Sequence, residues 1–210
     1  RHQSDCNRVR KSIVSISITL HRSGTSRTQQ VDTTTTGLDL FGSDRAVVAM
    51  RVDGNLVDLQ RELHDGAEVE PVEATSEDGL NIIRHSATHV MAQAVQQLYP
   101  EVNLGIGPFI TDGFYYDFGN IEPVTPEVLS ELEKRMKRIV KENQRFVRRV
   151  TTEESAREEL ADQPYKLELI GTKGKGAEGA SVEVGGGELT IYDNVRRNGE
   201  VAWKDLCRGP

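Results

Sequence analysis

The hydrophobic pattern of the chain changes period part-way along. From Val14 to Leu20 the residues run Val-Ser-Ile-Ser-Ile-Thr-Leu, apolar at every second place, as a strand with one buried face requires. His21-Arg22-Ser23-Gly24 reads as a turn and Thr25 to Val31 as the returning strand of a hairpin. A short helix is expected over Thr36 to Phe41, capped by Thr36. Ala46 to Val52 is a β-rich run that ends in the turn pair Asp53-Gly54. Leu56 to Leu59 is short, and His64-Asp65-Gly66 turns into a last strand at Ala67 to Val72. Four or five strands and one helix in roughly 60 residues predict a small α+β domain.

Glu73 to Gly79 is mostly polar and reads as a linker. Over residues 82 to 98 the period lengthens to that of a helix. Ile83, Ala87, Val90, Met91, Ala94, Val95 and Leu98 share one side, and Tyr99-Pro100 closes the helix. Glycines and aromatics follow, Gly105-Ile106-Gly107-Pro108 and Gly113-Phe114-Tyr115-Tyr116-Asp117-Phe118, suited to a strand at a cleft. A second helix is expected from Pro126, with a stripe of Val128, Leu129, Leu132, Met136, Ile139 and Val140. Then come a strand at Phe146 to Val150, a helix at Thr152 to Leu160 and a strand at Lys166 to Ile170. Gly171 to Gly179 reads as a mobile loop, and strands at Val182 to Val184 and Leu189 to Tyr192 flank Gly185-Gly186-Gly187. Residues 1 to 12 form a polar leader without periodicity.

Composition narrows the class. Charged residues make up 28% of the 210 and the apolar set 36%, values of a soluble globular protein. No apolar run approaches the roughly 18 residues of a membrane span, and the start lacks a signal-type apolar stretch. Two cysteines, Cys6 and Cys207, argue against a disulfide framework, so a cytoplasmic setting is expected. The net charge is -7, yet Lys134 to Arg149 holds eight basic residues and one acid, a local +7. Lys134, Arg135, Lys137, Arg138 and Lys141 avoid the apolar stripe of their helix. They read either as a surface for an RNA backbone or as a solvated face.

The candidate chemistry begins with His85 and His89, four residues apart and hence one turn apart on one helix face. By rotation that face lies opposite Ile83, Ala87, Val90 and Ala94, so the pair is either exposed or lines a second surface. Two imidazoles so placed can hold one metal or one substrate group. The Glu of a zinc-peptidase HExxH is absent, because Ser86 stands in its place. Cys207 adds a thiol, either a third ligand of a tetrahedral site or a buried sulfur beside Trp203 and Leu206.

Several stretches together resemble the amino-terminal part of threonyl-tRNA synthetases. They are GLNIIRHSATH from Gly79, GIGPFITDGFYYDF from Gly105, LEKRMK from Leu132, PYKLEL from Pro164 and DLCRGP from Asp205. Their order and spacing agree with that family over Ile13 to Pro210. The resemblance implies an α+β chain of two modules. Residues 13–74 would be a ubiquitin-like TGS domain of β-grasp fold, and 75–210 the editing domain shared with alanyl-tRNA synthetases. It implies hydrolysis of serine wrongly joined to threonine tRNA, with His85, His89, Lys166, Asp205 and Cys207 as catalytic positions and Tyr116 lining the pocket. The implied partners are threonine tRNA, mischarged seryl-tRNA(Thr) and the remainder of the synthetase, with no membrane. Editing would require no cofactor. Zinc on His85, His89 and Cys207 is an open alternative, and ATP and Mg would serve only a separate ligase domain. The family's Cys-x-x-x-His element reads Cys207-Arg208-Gly209-Pro210 here and stops before its histidine. The expectations are impaired editing and no ATP-dependent aminoacylation from this length of chain. A non-catalytic tRNA-binding or interdomain fragment is the alternative reading.

Overall fold

The computed structural model describes residues 14–172 and 188–210. The leader, Lys173 to Gly179 of the expected loop, the Val182 to Val184 strand and Gly185 to Gly187 lie outside the described residues. The architecture is α+β, and the chain divides into two compact units between Pro71 and Val72.

In the first unit β1 (Ser15–Arg22) and β2 (Thr25–Asp32) form the expected hairpin. The short helix α1 (Gly37–Phe41) precedes β3 (Val47–Val52), β4 (Asn55–Val57) and β5 (Glu68–Glu73). The sheet order is β2-β1-β5-β3-β4, with β1 and β5 parallel. Alternation on β1 buries Ile16 and Ile18 against Phe41, Val47, Met50, Leu63 and Val69. The two hairpin turns, Ser23-Gly24 and Asp53-Gly54, hold both central residues at positive φ. That is the conformation whose twist matches the flanking strands, and glycine takes it without strain. Thr36 starts α1, its backbone N–H donating to the Asp39 carboxylate at 2.8 Å.

The second unit opens with the long helix α2 (Glu77–Leu98). It begins five residues before the expected start. Ser76 caps it by accepting the Gly79 N–H, and Glu77 and Asp78 sit at the positive end of its dipole. The last three of the seven residues of the expected linker are therefore the first turn of a helix. Short pairs β6 (Asn103–Leu104) with β9 (Phe118–Gly119), and β7 (Phe109–Ile110) with β8 (Gly113–Phe114), carry the glycine and aromatic stretch. Then come α3 (Pro126–Lys141), β10 (Arg145–Val150), α4 (Glu153–Glu159), α5 (Pro164–Gly171), β11 (Thr190–Val195) and β12 (Val201–Leu206). The last three strands form an antiparallel sheet, β10-β11-β12.

Lys166 to Ile170 is helical rather than a strand. Five residues with apolar groups at alternate ends fit either period, and Pro164 at the first helical position decides, since its fixed φ suits a helix start. The helix buries Lys166 and Ile170, one turn apart.

The sheet has two working faces. Phe146, Asn194 and Trp203 lie in register, as do Tyr192 and Asp205, and this face meets α2. Asn194 donates to Gln93 at 2.8 Å and the Trp203 indole to Gln96 at 2.7 Å. The other face carries Ile191 and Leu206 into a core with Ala156, Leu160, Ile170 and Leu189. Helix α2 is thus covered on two sides. Ala94 and Val95 pack with Leu132, Ile139 and Val102, while Thr88, His89 and Gln93 are buried on its polar side. The expected stripe fails at Ile83, which is 43% exposed. Polar residues replace it inside because each finds a partner there.

Candidate functional site

Strand β12 and its continuation place the centre of the site. Alternation along Trp203-Lys204-Asp205-Leu206-Cys207 sends Trp203, Asp205 and Cys207 to the α2 side and Leu206 to the opposite core. On that side Asp205 is 1% exposed and Cys207 2%. Helix α2 brings His85 and His89, α5 brings Lys166, and the loop between β8 and β9 brings Tyr116.

Two joined groups result. In the first, the Lys166 ammonium lies 2.9 Å from Asp205 Oδ1, and the Tyr116 hydroxyl donates to Asp205 Oδ2 at 2.8 Å. All three are buried, so the carboxylate's charge is met by a cation and a hydroxyl inside the protein. Gly107 makes room for this arrangement. A Cβ there would come within 2.4 Å of the Tyr116 ring and 3.1 Å of Thr88 Oγ1. In the second group, His85 Nε2 lies 3.3 Å from His89 Nε2 and 3.5 Å from Cys207 Sγ. The Gly209 N–H donates to the sulfur at 3.2 Å, and Gly209 takes φ +65° to do so. His89 joins the groups, with Nδ1 at 3.6 Å from Asp205 Oδ2 and its ring edge-on to Phe146 and Trp203.

The electrostatics favour neutral imidazoles. Burial lowers the His89 pKa to about 3, against the pull of Asp205, and burial also lowers that of His85. Near neutral pH both rings then carry one proton each, and two facing Nε2 atoms at 3.3 Å can share one hydrogen between them. His85 is only half-buried, so the cluster opens to solvent on its side. The three donor atoms of His85, His89 and Cys207 lie within 4.8 Å of one another. Zn–N bonds of about 2.0–2.1 Å and Zn–S bonds of about 2.3 Å on a tetrahedron put ligand atoms roughly 3.3–3.6 Å apart. The two separations of 3.3 and 3.5 Å fit that figure.

The chain is similar to curated threonine-tRNA ligases. It is 59% identical to that of Streptomyces avermitilis over 198 residues, 93% of this chain and 30% of the relative. It is 55% identical to that of Nocardioides sp. over 204 residues, again 93% and 30%. It is 61% identical to that of Paenarthrobacter aurescens over 180 residues, 84% and 27%. This chain belongs with the amino-terminal region of the threonine-tRNA ligases. It spans about 30% of the length of the relatives it matches. No family model matches it.

Within this ligase region the structure brings together His85, His89, Lys166, Asp205, Cys207 and Tyr116. The five cations of α3 stand apart. Lys134, Arg138 and Lys141 are exposed, Lys137 pairs with Glu133 at 2.6 Å and Arg135 with Glu131 at 3.0 Å. Among the described residues none of the five bonds to the cluster. The local +7 is reduced further, because Arg149 is held by Glu159 and Asp193, each at 2.6–2.7 Å. Sequence reasoning missed Thr88, Gln93 and Asn194, the buried polar residues around the histidines. It also missed the rings of Phe109 and Phe146. The alternation Trp203-x-Asp205-x-Cys207 was the available signal for the face they share. No helix among the described residues is long and apolar enough to cross a membrane.

Proposed function

We propose that residues 75–210 form the editing module of a threonine-tRNA ligase, which hydrolyses seryl-tRNA(Thr), and that residues 13–74 form its accessory β-grasp TGS module. The observation that carries this reading is the convergence of a half-open His85-His89-Cys207 group with a buried Lys166-Asp205-Tyr116 group. An aminoacyl ester is already activated, so its hydrolysis needs a positioned water, a proton acceptor and donors for the developing oxyanion. A neutral histidine of the facing pair accepts the water's proton as the water oxygen bonds to the ester carbonyl. The tetrahedral intermediate collapses by breaking the bond to the ribose oxygen, which takes a proton back. Backbone N–H groups donate to the oxyanion, the buried charge of Lys166 adds positive potential from behind, and Asp205, held by Lys166 and Tyr116, orients His89. Threonine differs from serine by one methyl, worth only about 1–3 kcal/mol in a pocket that must hold it, so a second, smaller pocket is needed to separate them. The exposed cations of α3, Lys134, Arg138 and Lys141, with Arg135 and Lys137 beside them, offer a face to the tRNA backbone.

The test is deacylation of seryl- and threonyl-tRNA(Thr) by the 210-residue chain. Faster loss of serine than threonine is expected, reduced at least tenfold by His89→Ala. Equal background rates for both esters would remove the catalytic reading and leave a tRNA-binding role. A second reading, a zinc site, is favoured by the ligand-atom spacing of His85, His89 and Cys207. Those three residues would hold the ion, which supplies Lewis-acid activation of a water when bound. Metal analysis of protein purified without chelator decides it. One equivalent of zinc, lost in His85→Ala/His89→Ala, supports the site, and folded protein free of metal rejects it.

A further inference from the structure

His89, Gln93 and Gln96 follow one another on one side of α2, and the two glutamines end on sheet residues, Asn194 and Trp203. The hydrolytic scheme uses His89 and neither glutamine. His89 itself is lightly tethered. Its Nδ1 lies 3.6 Å from Asp205 Oδ2, longer than a hydrogen bond, and this buried atom has no hydrogen-bond partner among the described residues. Asp205 thus acts on the imidazole through charge, and packing must set the angle of the ring. Two aromatic rings do so edge-on. Phe146 stands at 6.1 Å between centroids and Trp203, the nearer, at 5.6 Å with an interplanar angle of 70°. Trp203 is in turn fixed by its indole N–H, which donates to Gln96 Oε1 at 2.7 Å. Beside it lies a cavity of about 250 Å³, lined by Trp203 and Gln96 together with Glu159, Asp162, Gln163 and Lys204. A space of that size and polarity admits water, so the indole has somewhere to turn when its acceptor is lost.

We propose that Gln96 is a positioning residue of the hydrolytic site: by accepting the Trp203 N–H it holds the indole against His89, and so keeps His89 Nε2 turned toward His85. This rests on the editing reading, in which a neutral histidine of that pair takes the water's proton. An apolar side chain at position 96 would pack against the helix face equally well. A glutamine is required there only because the indole N–H must be met away from solvent. Gln96 touches neither substrate nor reacting atoms in this scheme, and its effect on the reaction passes through Trp203 alone.

Two measurements on the whole chain test it, the fluorescence of Trp203, its only tryptophan, and the deacylation of seryl-tRNA(Thr). In Gln96→Leu the emission shifts to longer wavelength and acrylamide quenches it more, as the indole turns toward water. There kcat falls about tenfold while KM stays within about twofold, because a misplaced proton acceptor costs rate and not binding. Gln96→Glu, whose carboxylate also accepts the N–H, restores both readings. Trp203→Phe keeps a ring beside His89 and removes the N–H, so adding Gln96→Leu to it lowers kcat no further. Gln96 is half-buried, and melts of Gln96→Leu and Gln96→Met, two shapes of the same deletion, separate this loss from misfolding. A wild-type kcat in both deletions, a loss that Gln96→Glu leaves in place, or a loss repeated in full on Trp203→Phe overturns the positioning role alone. A wild-type chain that releases serine no faster than threonine overturns the editing reading, and the role of Gln96 in it, whatever the emission does.

Discussion

Substituting Lys166 by Met tests whether the buried ion pair holds the site together. The ammonium is fully buried and lies 2.9 Å from a carboxylate that is 1% exposed. Methionine fills a similar apolar volume, so the loss is chiefly electrostatic: Asp205 keeps the Tyr116 hydroxyl and loses its cation. Removing one partner of a buried pair costs about 3–5 kcal/mol, a large part of the roughly 5–15 kcal/mol that a domain has in total. The double change Lys166→Met/Asp205→Leu removes both charges. Replacing a buried pair by apolar groups is close to neutral, and the loss of Tyr116's acceptor costs about 1–3 kcal/mol. The double variant should therefore be more stable than either single variant, with a coupling of several kcal/mol in the cycle. Trp203 is the only tryptophan, and it packs against His89, so its fluorescence reports urea unfolding of this unit. Should Lys166→Met alone fail to fold, recovery of a cooperative transition in the double variant reads the same coupling. Single variants that each cost under about 1 kcal/mol and add without coupling would refute the buried-pair account.

Two further outcomes follow from the second unit. Hydrogen bonds from Arg149 lower the Glu159 pKa to about 2 from an ordinary value of 4.5. A depressed carboxylate pKa stabilises the fold above the unfolded value and loses that contribution as pH falls, so stability should decline between about pH 4.5 and 2. In Arg149→Met that decline should be shallower in thermal melts across the same range, and an unchanged slope would count against the assignment. Gly209→Ala should displace the chain beside Cys207, because φ is +65° and a Cβ would lie 2.0 Å from the Tyr192 hydroxyl. About 1–3 kcal/mol of strain is expected there. The thiol should then react faster with a disulfide reagent, and a reactivity equal to wild type would show that the turn relaxes without moving the sulfur.

The first unit was legible because its signals are local. Period-two alternation set β1, and Ser23-Gly24 and Asp53-Gly54 were turns for the conformational reason that glycine permits. The start of α2 was hidden because its first turn is polar: Ser76, Glu77 and Asp78 serve a cap and a dipole, which hydrophobic periodicity does not register. Lys166 to Ile170 was misread for a different reason. Five residues cannot separate the two periods, and the proline two places earlier carried the information instead.

The histidine face shows where sequence rotation stops helping. His85 and His89 do lie away from Ala94, and of the two alternatives, exposed or lining a second surface, the second holds: His89 is buried and His85 half-buried. A helix has a second interior only if another element covers it, and here that element is a sheet formed by residues 145–206, about 60 to 120 positions downstream. The same long-range pairing explains why motif order anticipated which residues meet but not how they share protons. Asp205 reaches Lys166 and Tyr116 through strand register and a helix that was expected to be a strand. Reading the helix as a strand did not spoil the residue list, because residues i and i+4 share a face in either form. It did hide the depth of Lys166: placed on a helix behind Asp205, its ammonium has no water to fall back on, so its partner is fixed by burial and the site's charge is set by the fold rather than by solvent.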